Sequence, residues 1–220
     1  MEAVIEKLRG DLWKYVQGTT ESLILAEILM GILILQYTFR MEPISILEII
    51  TSVVSGLYLA DLGTGLVHMI ADIIGRNTLD IPYHHVNPKN YFDISDIELL
   101  CQTSVAPIPL ICILYNLTPL TSKSQILFQI VSLYGMHIGQ ITHKFAHITN
   151  TLTEEDRQKH KAMIFLQNIH LILHPNNHHP HHTSPKYDTN FCILNGWANP
   201  LLNSIVHIPF IHSRLFPDTA

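Results

Sequence analysis

Between residues 22 and 39 the chain carries one acidic or basic side chain, Glu27, and three further runs of similar character follow at 44–67, 97–117 and 125–141. A helix needs about 20 apolar residues to cross a hydrocarbon core, and only helices or closed barrels satisfy their backbone polar groups there. Charged residues make up only 14% of the 220 positions. The runs are apolar all round rather than striped, so burial in lipid accounts for them better than a soluble core does. The expected fold is all-α: an integral membrane four-helix bundle with interfacial helices and a histidine-rich cap over residues 143–200, forming one domain over 1–220.

The segments between the runs add detail. Residues 1–20 read as a short surface helix, 72–96 as a polar loop containing Pro82 and Pro88, and 118–124 as a turn. Pro107 and Pro109 predict a kink in the third run. Thr153 followed by Glu154, Glu155 and Asp156 predicts the start of an interfacial helix over 153–173. Residues 190–216 are expected to pack on the membrane surface. Gly56, Gly63 and Gly65 permit close helix contact, and Glu27 is expected to face the bundle or an interface. Cys101, Cys112 and Cys192 contain no C-x-x-C pair and read as packing residues. Four spans with a cytoplasmic N-terminus leave only Arg40 and Lys123 on the far side, with the other eleven Lys and Arg on the cytoplasmic side. That asymmetry places both termini in the cytoplasm. A net charge of −5 without a basic face argues against nucleic acid as a partner.

The fifteen histidines are unevenly placed, six of them in HLILHPNNHHPHH at 170–182. Neutral imidazole is the commonest protein ligand for transition metals. In the H-x-x-H-H pattern, His178, His181 and His182 are three and four apart, so a helical turn is expected to direct them toward one centre. His143 and His147 are four apart at the end of the fourth run, His68 ends the second, and His84 and His85 follow in the loop. The assumed topology brings all eight to the cytoplasmic face. One zinc-like site takes three or four ligands, so eight imply two metal ions. The set suits iron, copper or zinc rather than magnesium or calcium. Oxygen activation beside an alkyl chain fits a lipid-embedded site; zinc hydrolysis fits less well, because no H-E-x-x-H occurs.

Asp72, one turn after His68, is either a hydrogen-bonding support for a ligating imidazole or a solvated loop acid. His170, His174 and His179 are further candidates for such a supporting role. His137, inside the fourth run, is a functional candidate by position or a partner for a backbone carbonyl. His160 reads as solvated, and His207 and His212 as interfacial side chains rather than ligands.

The segments GLVHMIAD, HHVNP, QITHKFAH and HHPHHTSPKYDTNFCILNGWANPLL resemble the Kua lipid-desaturase family, over about residues 56–202. The family's histidine positions fall on the same eight residues. Where family members carry a histidine before the one aligned with His178, this chain has Asn177, with His179 following instead. The resemblance implies an oxidoreductase of lipid metabolism: a non-haem di-iron enzyme using O2 and two electrons to desaturate a lipid chain. The substrate it implies first is plasmanylethanolamine, giving the vinyl ether of a plasmalogen; acyl-lipid desaturation or hydroxylation is the alternative. It further implies an external electron donor, cytochrome b5 or ferredoxin. The membrane would be endoplasmic reticulum in a eukaryote or the inner membrane in a bacterium. A metal transporter or storage protein is the non-enzymatic alternative, disfavoured because Glu27, Glu48, Asp61 and His137 are too scattered to form a path.

Overall fold

A computed structural model describes residues 19–75, 94–105, 108 and 122–216. The expected surface helix before residue 19, His84, His85, Cys112, both prolines of the third run and most of that run lie outside the described residues. Within them every regular element is helical: α1 (Thr20–Phe39), α2 (Ile46–Gly75), α3 (Asp96–Thr103), α4 (Lys123–Ile148), α5 (Glu154–Lys159), α6 (Lys161–Asn168), α7 (Pro175–Thr183), α8 (Asn199–Val206) and α9 (Pro209–Leu215).

Helices α1 and α2 are long and apolar enough to cross a membrane. Only 17% and 22% of their most apolar stretches is buried, which is unlike the core helix of a soluble protein. Ile24, Ile28 and Leu35 on α1, and Leu47, Ile50 and Val54 on α2, face outward, a pattern that lipid tolerates and water does not.

The chain forms two compact units, residues 1–60 with 96–138 and residues 61–95 with 139–220. In the first, Ala26, Met30 and Leu33 recur at helical spacing and bury one stripe of α1 against Leu133 of α4. Thr19 starts α1 with a capping box shared with Ser22. Gly56 lets α2 approach α4: a Cβ there would stand 2.9 Å from the Val131 side chain. Glu27, expected to face an interface, lies 3.3 Å from Nε2 of the buried His137, so that histidine pairs with a carboxylate rather than only a carbonyl.

In the second unit Phe191, Cys192, Ala198, Leu202, Val206 and Phe216 form the main apolar cluster, with Leu62, Met69 and Ile73 of α2 packed on it. Each large side chain fully buried in this way stabilises by about 1.5–3 kcal/mol. Cys192 is a packing residue in contact with Gly65, where a Cβ would meet its Sγ at 2.6 Å. The clasp between α2 and the 191–198 segment is polar. Asp61 Oδ1 accepts the backbone N–H groups of Leu194 (3.2 Å), Asn195 (2.9 Å) and Gly196 (3.0 Å), and Oδ2 accepts that of Ala198 (2.8 Å). Gly196 takes φ 82, a left-handed conformation that costs glycine little, and this turns the N–H groups into one nest.

Four expectations need correction. The loop predicted to begin at Asp72 begins later, because the helical ladder of α2 continues to Gly75 and buries Asp72. Residues 123 and 124 belong to α4 rather than to a turn. The single helix expected over 153–173 is two helices broken at His160. Thr153 caps the first of them as its sequence predicts. His160 is half-buried, edge-on to Phe145 at 5.3 Å, rather than solvated.

Candidate metal centre

Two helix segments of the second unit, the last turns of α4 and helix α7, supply most of the donors. On α4, His143 and His147 are one turn apart; on α7, His178 and His182 are likewise one turn apart. Each pair therefore shares a helix face. Pro175 starts α7 at a position where its missing N–H costs nothing, and His174 caps it by accepting the N–H of Asn176 at Nδ1 (3.2 Å). The two faces meet. Nε2 of His143 is 2.7 Å from Nε2 of His178 and 3.0 Å from Nε2 of His147, and His182 brings its Nε2 to 2.9 Å from that of His178. All four ligand atoms lie within 4.8 Å of one another.

His181 turns elsewhere, which corrects the expectation of one centre for the H-x-x-H-H pattern. Positions 178 and 182 are separated by 400° around a helix, close to a full turn, whereas 181 points about 60° off that stripe. It joins His68 and Asp72 of α2 in a second group within the same 4.8 Å limit. Asp72 Oδ2 lies 3.1 Å from His181 Nε2 and 3.5 Å from His68 Nε2. The two groups adjoin: ring centroids of His68 and His143 are 5.0 Å apart, and those of His178 and His181 are 5.3 Å apart.

Neighbouring acceptors set which ring nitrogen carries hydrogen. His68 Nδ1–H donates to the Phe191 carbonyl (3.0 Å), His181 Nδ1–H to the Thr189 carbonyl (2.8 Å), and His143 Nδ1–H to Gln140 Oε1 (3.2 Å). With Nδ1 so engaged, each ring turns its Nε2 toward the centre. Burial, reinforced by its imidazole neighbours, holds His178 well below the ordinary histidine pKa, and the same causes push His147 down to about 4. Both are therefore neutral near pH 7, the form that ligates. Nitrogens bound to one ion at about 2.0–2.1 Å sit roughly 2.9 Å apart in octahedral and roughly 3.4 Å apart in tetrahedral coordination, and the Nε2 contacts lie near the lower of these. The residues present fit a pair of transition-metal ions.

Asp72 is buried rather than solvated, and its carboxylate meets the Nε2 atoms of His68 and His181, while their Nδ1 positions are taken by carbonyls. The i,i+4 spacing to His68 was the available signal. Of the three further candidates, His170 is left-handed (φ 56) and gives its carbonyl to Trp197 Nε1–H (2.8 Å), His174 caps α7, and His179 is exposed; none belongs to either group. His84 and His85 lie outside the described residues. Sequence reasoning did not find the Asp61 clasp, which fastens the segment carrying Phe191 to α2.

Residues 57–208 match the lipid desaturase domain. Among curated proteins, the chain is 30% identical over 170 residues to plasmanylethanolamine desaturase 1 of Mus musculus, covering 69% of this chain and 59% of that protein. It is 26% identical over 174 residues to the plasmanylethanolamine desaturase of Myxococcus xanthus, covering 73% of this chain and 58% of that one. The chain thus spans less than two thirds of the length of these relatives. No solved structure matches it.

Proposed function

The chain belongs to the lipid desaturase family, and from that premise we propose that it desaturates a hydrocarbon chain of a membrane lipid with two histidine-held iron ions. The observation that carries this reading is the pair of adjoining, buried donor groups, His143, His147, His178 and His182 beside His68, Asp72 and His181. We assign each group to one ion, and His84 and His85 complete the set.

Bound iron supplies the one-electron steps by which dioxygen is reduced and C–H bonds are broken. In the overall reaction the substrate loses two hydrogens, a donor gives two electrons, two protons are taken up, and O2 leaves as two waters. Cytochrome b5 or ferredoxin is the donor we assign. The chain's own residues hold and orient. The carbonyls of Thr189 and Phe191 and the amide of Gln140 fix three rings in the ligating tautomer. Burial of His68, His143, His178 and His181 keeps water from the centre.

We take plasmanylethanolamine, the substrate in the names of both relatives, as the substrate here. The four-span topology stays part of the proposal, with termini and centre on the cytoplasmic side and 1–220 as one functional domain. Mass spectrometry of lipids from cells expressing the chain tests it. An acid-labile vinyl ether, absent with His143→Ala, is the expected product. A trans-unsaturated or hydroxylated acyl chain would replace the substrate and keep the centre; unchanged lipids from well-expressed, iron-loaded protein would overturn the reading.

A further inference from the structure

A third group of metal donors stands apart from the two groups assigned to the proposed centre. His212 Nε2 lies 2.8 Å from Asp188 Oδ2, and His207 Nε2 lies 3.9 Å from the same oxygen. All three donor atoms fall within 4.8 Å of one another. His207 closes α8 and His212 sits on α9, so two successive short helices turn imidazoles toward one loop carboxylate. The rings lie side by side, centroids 5.8 Å apart. The Ser184 hydroxyl donates to Asp188 Oδ1 and holds the carboxylate in place.

We propose that Asp188, His207 and His212 form a separate site for a borderline divalent cation of the zinc class. Two imidazoles and one carboxylate are a donor set such ions favour, and separations of 2.8 and 3.9 Å bracket the roughly 3.4 Å between ligands of a tetrahedral ion at about 2.0–2.1 Å. His207 is 48% exposed, which leaves its ring free to swing the remaining distance and leaves an open coordination position to water. His212 lies outside the family match at 57–208.

The ion's task follows from its neighbours. Asp188 directly precedes Thr189, whose carbonyl orients His181, and next comes Asn190. Its N–H donates to Asn203 Oδ1 (2.9 Å), and its side-chain amide donates to the Asn177 carbonyl (2.7 Å). An ion at Asp188 fastens α8 and α9 to this segment and braces the tail against it. The site is structural, and it does not depend on which lipid the enzyme takes.

The test uses the iron-loaded full chain in detergent, titrated with Co2+, whose visible bands report ligation. Wild type should take up one equivalent more than His207→Ala or His212→Gln. Affinity at this step should fall at least about 100-fold in both variants, beyond what loss of an outer partner costs. His147→Ala, which touches only the proposed iron centre, should keep the step. Zn2+ should also raise the melting temperature of wild type and leave that of His207→Ala unchanged. Equal Co2+ uptake by wild type and His207→Ala would reduce the trio to a His–Asp hydrogen bond. His207→Ala decides the matter if His212→Gln fails to fold, because the His207 side chain is half-exposed and its carboxylate contact is the long one.

Discussion

Nε2 of His143 lies 2.7 Å from Nε2 of His178, two buried imidazole nitrogens brought together from positions 35 apart. A proton on either would place a charge in a dry cluster of nitrogens, and the depressed values of His178 and His147 express that cost. Between the ordinary histidine value of 6.5 and about 4, the unfolded chain binds more protons than the folded one. Stability therefore rises with pH across that window and falls on acidification. The metal-free protein should melt progressively lower from pH 6.5 toward 4, as followed by circular dichroism, and metal-loaded protein should release its ions over the same range. A flat profile would contradict the burial argument.

Asp72 faces the Nε2 atoms of His68 and His181 rather than the back of a ring. Asp72→Asn keeps its size and removes the anion. Iron content, measured on purified protein, should fall by about one equivalent of the two, with the His143, His147, His178 and His182 group still loaded. Alanine at His179, which is exposed and in neither group, should leave both equivalents in place.

Four backbone N–H groups converge on the Asp61 carboxylate. Bonds to a charged acceptor contribute about 1.5–3 kcal/mol each, and burying the donors unpaired costs comparably. Asp61→Ala should therefore destabilise by about 3 kcal/mol or more, read as a lowered unfolding midpoint. Asp61→Asn should fall between, since one amide oxygen still accepts.

Gly65 has no room for a side chain, with Cys192 Sγ at 2.6 Å and Leu202 Cδ2 at 3.0 Å from a Cβ built there. Gly65→Leu should cost about 1–3 kcal/mol by overpacking and loosen metal binding, because the displaced segment carries the Phe191 carbonyl that orients His68. Gly65→Ala combined with Cys192→Ala should recover much of the loss; failure of that rescue in a thermal melt would show that the contact is not the cause.

The helices and the donor residue types were legible because both are local. Apolar run length marked α1 and α2, and the i,i+4 spacings marked His143 with His147 and His178 with His182. What escaped was non-local or angular. Nothing in the sequence around Asp61 says that its partners lie at 194–198. The assignment of His181 to a different group from His178 follows from helical phase, which the pattern contains but which only the position of α2 makes decisive. The loop start expected at Asp72 comes too early, because the polar residues after it suggest a loop, while the helix runs on to Gly75 and buries Asp72. The Asp188, His207 and His212 trio was missed because its imidazoles stand in an apolar tail with the carboxylate 19 and 24 positions earlier.

The Asp61 clasp has a bearing on biosynthesis. Its carboxylate stays without its partners until 133 to 137 further residues have been made, long after α1 and α2 have left the ribosome. The apolar helices are therefore made first, and the unit that carries the histidine groups closes only once this later stretch has been made. Closure of this unit is accordingly a late step in the making of the chain, and a ribosome stalled before residue 194 would display a nascent chain without the Asp61 clasp.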